Sequence, residues 1–330
     1  MKQHIANFPK YLKEWYTIGK NIELDISLSS FSNILFVGMG WSGMAASILQ
    51  EMLERGPQAL PCKVVKEYDI PLWVNGKTLM IVASYSGNTE ETLSAMKKWV
   101  EAWAHMLALT SWGILKEVAE VQWTTYGLMP TGIEPRAALP YSFWIQLAIF
   151  EQLGAIDESI DETLTWLQHW SMEAHESIHE EAKTIAATIA SKIPVIYTTP
   201  KFAPVALRAR QQINENARIL CRDHILPEHN HNELLGLQEG NENVHILWYQ
   251  DPDMYIRNAK RVELTKEVLR ERNFNQDVCV MQGDTYLKKV CSTMYRIDWL
   301  SYYTAMKNDI DPSGMKLIED LKKALKDFIS

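Results

Sequence analysis

The sequence predicts an α/β protein made of two parallel-sheet αβα sandwiches, and three observations carry that prediction. Short apolar runs alternate with longer amphipathic stretches, which is the pattern of βαβ units and parallel sheets. The alternation breaks off near residue 153, resumes near residue 193, and both series begin alike. Ile34-Leu35-Phe36-Val37 leads through a turn into Gly43-Met44-Ala45-Ala46-Ser47, as Val195-Ile196-Tyr197-Thr198 leads into Ala203-Pro204-Val205-Ala206-Leu207. With 330 residues the chain has room for both copies. We therefore expect a first subdomain over 1–153 with a leading helix, a helical bridge over 154–192, and a second subdomain over 193–330 with a final helix.

Taken in order, the segment up to Lys20 reads as the leading helix. Strand-like runs follow at 33–37, 63–68, 78–84 and 105–110, separated by helical patterns at 42–55 and 90–104. A long helix follows the Pro135-Arg136-Ala137-Ala138 turn and runs to about Leu153. Residues 157–192 are helical, charged and poor in glycine. The second series has strands at 194–198, 244–249 and 277–281, with helices at 203–218, 257–271 and 286–307, and a last helix over 315–329.

Composition narrows the function. Hydrophobic residues make up 47% and charged residues 22% of the chain, which suits a soluble globular protein. A net charge of −8 argues against nucleic acid as a partner but leaves a small phosphorylated substrate open, because donors inside a cleft decide that. Cys62, Cys221, Cys279 and Cys291 show no C-x-x-C or metal-type spacing and read as free thiols of a reducing cytoplasm. The first ten residues contain no apolar core of a signal peptide, and the apolar stretch at 34–49 is broken by Gly38, Gly40, Ser42 and Gly43. A cytoplasmic protein with no membrane partner is expected.

The most informative run is Ala83-Ser84-Tyr85-Ser86-Gly87-Asn88-Thr89-Glu90-Glu91-Thr92, a buried strand passing through a hydroxyl-rich turn into a helix. A helix start presents unpaired N–H groups and partial positive charge, and Ser84, Ser86 and Thr89 add hydroxyls around it. With no lysine or arginine in the loop, the pattern suggests a dipole-and-hydroxyl anion site; the plainer reading is an ordinary capped helix. Gly38, Gly40 and Gly43 satisfy G-x-G-x-x-G, so a nicotinamide nucleotide stays open as an alternative. His175-Glu176-Ser177-Ile178-His179 matches a zinc helix, yet the surrounding Glu173, Glu180, Glu181 and Lys183 read as a solvated bridge, and no metal is expected. Arg136, just past a proline, could stabilise an oxyanion or pair with Glu134. Glu215 could move a proton beside a carbonyl and His231 could open a sugar ring; taken alone, they could equally be a solvated glutamate and a chance histidine cluster.

Together these segments resemble the sugar isomerase (SIS) superfamily, and within it the bifunctional phosphoglucose/phosphomannose isomerase family. The resemblance rests on 38–43, 84–92, 132–138, 212–218, 230–233 and Asp311-Pro312-Ser313 with Leu321-Lys322, which span nearly the whole chain in order. It implies two SIS subdomains and a homodimer. It also implies interconversion of glucose or mannose 6-phosphate with fructose 6-phosphate through a cis-enediol, without cofactor. It matches Ser42, Ser84, Ser86 and Thr89 to phosphate-binding hydroxyls, Glu215 to the base and Arg136 to the arginine that stabilises the enediolate. His231 matches a ring-opening histidine supplied by the neighbouring subunit, and Lys322 a lysine near the ring oxygen, with Lys316 close by as the other choice.

Three positions depart from the family pattern. Trp41 replaces a usual glycine, Thr198-Thr199-Pro200-Lys201 replaces a Gly-Ser-Gly turn, and Ser313-Gly314 stands where Thr-Pro is common. Trp41 and Ser313 are thereby candidate specificity residues. Two rivals remain at this point: a non-catalytic SIS protein that senses a sugar phosphate, and an isomerase of an amino-sugar phosphate.

Overall fold

A computed structural model describes residues 1–131 and 139–326. The chain divides into two compact units, Asn7–Gln168 and His169–Ser330 together with Met1–Ala6. The changeover falls inside the stretch 154–192.

A short helix α1 (Lys2–Ala6) belongs to the C-terminal unit. The N-terminal unit opens with α2 (Phe8–Lys20), whose buried Phe8, Leu12, Trp15, Tyr16 and Gly19 fall on one helical face. Then come β1 (Asn33–Val37), α3 (Gly40–Arg55), β2 (Cys62–Val65), β3 (Thr78–Ser84), α4 (Glu90–Ala102), β4 (His105–Thr110), α5 (Ile114–Val121), β5 (Thr125–Leu128) and α6 (Leu139–Gln152). The strands are all parallel and ordered β2-β1-β3-β4-β5. β3 is buried along its whole length, as a central parallel strand covered on both faces must be. On one face Leu35, Val37, Met80, Val82, Ala95, Met96, Ala108, Leu115 and Ala119 form a core with α4 and α5. On the other, α3 and α2 pack against α6.

From α7 (Ile160–Glu173) the chain continues through α8 (His175–Ile189), β6 (Ile193–Thr198), α9 (Ala203–Gln212) and β7 (Arg222–Ile225). Next are α10 (Glu233–Gly236), β8 (Val244–Gln250), α11 (Ile256–Glu271), β9 (Asn275–Val280), α12 (Tyr286–Lys307) and α13 (Lys316–Lys326). The second sheet is parallel too, ordered β7-β6-β8-β9. α12 is the hub of this unit, buried over most of its length and packed on α8 and α9.

Most expected elements are present; α5 and two short strands are additional, and two helices differ from expectation. β5 and β7, each of four residues, did not stand out in the sequence because short edge strands carry little hydrophobic period. The expected helix at 203–218 ends as α-helix at Gln212 and continues as a π-helical turn, Ile213–Ala217. Finally, α8 is not a solvated bridge. Ile178, Ala182, Ile185, Ala186 and Ile189 bury one face of it, and half-buried Glu181 pairs with Arg296 of α12.

Candidate active site

In the N-terminal unit, β1 and β3 are neighbours in register, Val37 opposite Val82, so the turns after them open at the same sheet end. The strand order reverses between these two, and open α/β sheets bind ligands at such switch points. The approach is close. A Cβ on Gly38 would stand 2.9 Å from the Ala83 carbonyl oxygen, and one on Gly43 would stand 2.3 Å from the Gly38 carbonyl oxygen. Neither α3 nor α4 has a side-chain N-cap bond. Thr89 occupies the N-cap position of α4, but its hydroxyl lies 3.0 Å from Ser84 Oγ. At neither helix does the N-cap side chain itself cap the first turn. Gly87 has φ +64°, and a Cβ there would stand 1.7 Å from the Trp112 carbonyl oxygen. Only glycine fits. Ser84 is buried, while Ser42, Ser86 and Thr89 are half-buried beside half-buried Trp41. This rim brings all four expected hydroxyls together with two helix starts, an arrangement suited to a phosphate.

The matching rim of the C-terminal unit is closed to an anion. The Thr198 hydroxyl donates to the Tyr249 carbonyl at 2.8 Å, and Thr199 is buried. Beyond β8, Asp251 and Asp253 both pair with buried Lys289, at 2.6 and 2.5 Å. Their carboxylates hold the Lys289 charge and would repel a phosphate, while Lys201 of the turn itself lies over the Tyr286 ring.

Glu215 sits in the π-helical turn Ile213–Ala217, half-buried. Such widened turns re-aim side chains and recur at functional sites. Arg218 ends the turn at φ 53°, and its Nη2 donates to the carbonyls of Asp311 (3.1 Å) and Gly314 (3.3 Å). That ties the turn to the segment ahead of α13. Between them opens a cavity of about 810 Å³ lined by Glu215, Asn214, Arg218, Gly314, Lys316 and Asp320, with Ile219 and Leu220 as apolar wall. Two carboxylates, Glu215 and Asp320, and two cations, Arg218 and Lys316, thus line one space. Lys322, exposed on α13, is not among the lining residues; neither is exposed Ser313, whose N–H donates to Asp311 Oδ1 at 2.9 Å. Arg136 lies outside the described residues.

His231 is exposed at the end of the 3₁₀ turn Glu228–His231 and does not line that cavity. Its neighbours fix the loop. Glu233 accepts from the Tyr197 hydroxyl at 2.8 Å and pairs with His224, buried His229 packs on the Tyr197 ring, and Asn230 donates to Thr265 Oγ1 at 2.9 Å. The cluster is a set of engaged side chains with one histidine turned outward. On α8, His179 Nδ1 lies 2.6 Å from the Tyr303 hydroxyl and its ring packs on Trp299. Among the described residues no group of three His, Cys, Asp or Glu side chains could hold a metal ion.

Sequence reasoning passed over the residues beneath Glu215. Arg208 and Asp298 form a buried ion pair at 2.8 Å, Gln212 donates to the same Asp298 oxygen, and Asn216 donates to Ser301 Oγ at 2.9 Å. Burial pushes the Arg208 guanidinium down, while Asp298 and Glu215 pull it back up. The available signal was spacing: Arg208, Gln212 and Asn216 recur at four-residue intervals on one helix face.

The chain is similar to known proteins along nearly its whole length. Residues 178–325 match the family model of the bacterial phospho-glucose isomerase C-terminal SIS domain. The bifunctional phosphoglucose/phosphomannose isomerase of Caldicellulosiruptor bescii is 32% identical over 336 residues, covering 98% of each chain. That of Aquifex aeolicus is 33% identical over 317 residues, covering 95% of this chain and 94% of the relative. In fold, the chain is similar to the C-terminal domain of glucosamine-fructose-6-phosphate aminotransferase from Francisella tularensis, with TM-score 0.77 at 17% identity, covering 95% of this chain and 98% of that one. With two parallel α/β units, a hydroxyl-lined switch point and relatives matched along nearly their full length, this chain belongs to the bifunctional phosphoglucose/phosphomannose isomerase family.

Proposed function

We propose that this chain interconverts glucose 6-phosphate and mannose 6-phosphate with fructose 6-phosphate through a cis-enediol. The observation that carries the reading is Glu215, held on a π-helical turn and facing a cavity with Arg218 and Lys316. Ser42, Ser84, Ser86 and Thr89 hold the phosphate. Once the ring is open, Glu215 takes the proton from C2 of the aldose as the C1 carbonyl becomes a hydroxyl, then returns it to C1 as the C2 hydroxyl becomes the ketone. C2 is planar in the enediol, so one intermediate leads to either epimer. No step so written calls on a metal or nucleotide.

Arg136 stabilises the enediolate charge in this reading. His231 assists ring opening from the partner in a homodimer, which its exposed position supports. A lysine of α13 stands near the ring oxygen, and the lining of the cavity favours Lys316 over Lys322 for that place. Trp41 and Ser313 tune the choice of epimer. A cytoplasmic location fits four free cysteines and the absence, among the described residues, of any helix long and apolar enough to cross a membrane.

The test is a coupled assay with chelator-treated protein and fructose 6-phosphate, detecting glucose and mannose 6-phosphates separately. Both products are expected. Glucose 6-phosphate alone would mean a narrowed enzyme, with Trp41 and Ser313 the first suspects. Neither product would overturn the proposal and favour the sensor or an amino-sugar substrate.

A further inference from the structure

We propose that Asn88 is a positioning residue for the phosphate: it locks the hydroxyl loop onto the turn after β4, so that the loop presents its donors on the side of the turn after β1. The inference rests on the reading of the 84–89 loop as the phosphate site. The turn at 110–115 grips four successive residues of that loop. The Ser111 N–H donates to the Tyr85 carbonyl at 3.1 Å, and the Leu115 N–H to the Gly87 carbonyl at 3.0 Å. The Ile114 N–H donates to Asn88 Oδ1 at 3.1 Å. Gly113 lies close against the rest, where a Cβ would stand 2.5 Å from the Ser86 carbonyl oxygen and 2.7 Å from the Asn88 amide.

This is more than capping α5 requires. A serine or aspartate at its N-cap position would cap it locally. That position holds Gly113 at φ +79° instead, and the acceptor for Ile114 comes from the loop, 26 residues back in the chain. The turn forgoes a local cap and holds the loop. In a trans peptide the carbonyl and the N–H point opposite ways. With the Tyr85 and Gly87 carbonyls turned to the β4 side, the N–H groups of Ser86 and Asn88 face away from it. Because β3 stands between β1 and β4, that is the side of the β1 turn and Ser42. The Asn88 N–H donates to Ser86 Oγ at 3.3 Å, which engages that oxygen as an acceptor and leaves its O–H to donate. A phosphate oxygen accepts from such a hydroxyl. Asn88 therefore acts twice: its side chain fixes the loop to α5, and its backbone orients the Ser86 hydroxyl.

The experiment measures the Kd of inorganic phosphate by titration calorimetry, KM and kcat for fructose 6-phosphate, and the melting temperature, in the full chain and its variants at high salt. Asn88→Ala should raise the phosphate Kd and KM together by about fivefold with little change in kcat. Asn88→Asp keeps the acceptor for Ile114, and with its charge screened its Kd should stay nearer the native value. If Asn88→Ala does not fold, Asn88→Ser, whose shorter side chain falls short of Ile114, takes its place. A lowered melting temperature with Kd and KM unchanged would mean a helix cap alone and overturn the inference. So would an Asn88→Asp that binds phosphate no better than Asn88→Ala. Ser84→Ala separates the two readings. If it binds phosphate as tightly as the native chain, the phosphate site itself is misplaced; if it binds weakly while Asn88→Ala does not, only the positioning role fails.

Discussion

At the scale of single residues, burial decides protonation. His229 is fully buried, its Nδ1 accepts from Asn230 Nδ2 at 3.2 Å, and desolvation holds its pKa below the usual histidine value. Protonating the ring would set one donor against another. His179, packed on Trp299, is lowered for the same first cause. As pH falls below about 6.5 the unfolded chain takes up protons that these folded rings refuse, so stability is present above that pH and is lost below it. Denaturant titrations should show stability declining between about pH 6.5 and 5, with a smaller decline in His229→Gln. A curve unchanged by the substitution would mean that His229 does not contribute. The thiols behave alike: burial pushes Cys62 and Cys279 up to about 12 and Cys221 higher still. At pH 8 a thiol reagent should label the native chain slowly, and all four cysteines quickly only in denaturant.

At the scale of elements, the two sheets share one layout but carry different rims. Both have a switch point followed by helix starts without a side-chain cap, but the N-terminal rim adds Gly38, Gly43 and Gly87, while the Thr198 hydroxyl of the other is bound to the Tyr249 carbonyl. Ser84→Ala should raise KM for fructose 6-phosphate about tenfold with little change in kcat, since it removes one hydrogen bond to a charged group. A lowered kcat at unchanged KM would place Ser84 elsewhere in the reaction. Gly87→Ala meets a φ of +64° and the Trp112 carbonyl together, so urea unfolding should show a loss of about 2 kcal/mol or more. The long elements were legible in the sequence because their apolar period is strong, as in Leu12, Trp15, Tyr16 and Gly19 of α2. The π-helical turn was not. Gln212-Ile213-Asn214-Glu215-Asn216-Ala217 suits an ordinary helix, and the widened turn is tied by Asn216 donating to Ser301 of α12 and by the Cys221 N–H donating to Asn214 Oδ1.

At the scale of the molecule, a bound sugar phosphate stabilises the native chain only. Fructose 6-phosphate at a hundred times its Kd should add about 2.7 kcal/mol and raise the melting temperature, with chelator making no difference. No rise would argue against a preformed site. The sequence by itself determined the two parallel-sheet units and the hydroxyl loop at 84–89, because these depend on local period and local chemistry, while Glu215 and His231 stood out through the family resemblance. Only the tertiary structure decided that the second switch point is closed by Lys289 and its two aspartates, and that Lys316 rather than Lys322 lines the cavity with Glu215. It alone revealed the buried Arg208–Asp298 pair beneath that glutamate. Each of these joins residues from 36 to 101 positions apart in sequence, Lys289 to Asp253 at the near end and Lys316 to Glu215 at the far one. Long-range packing sets which charges meet, and no local pattern in the chain records it.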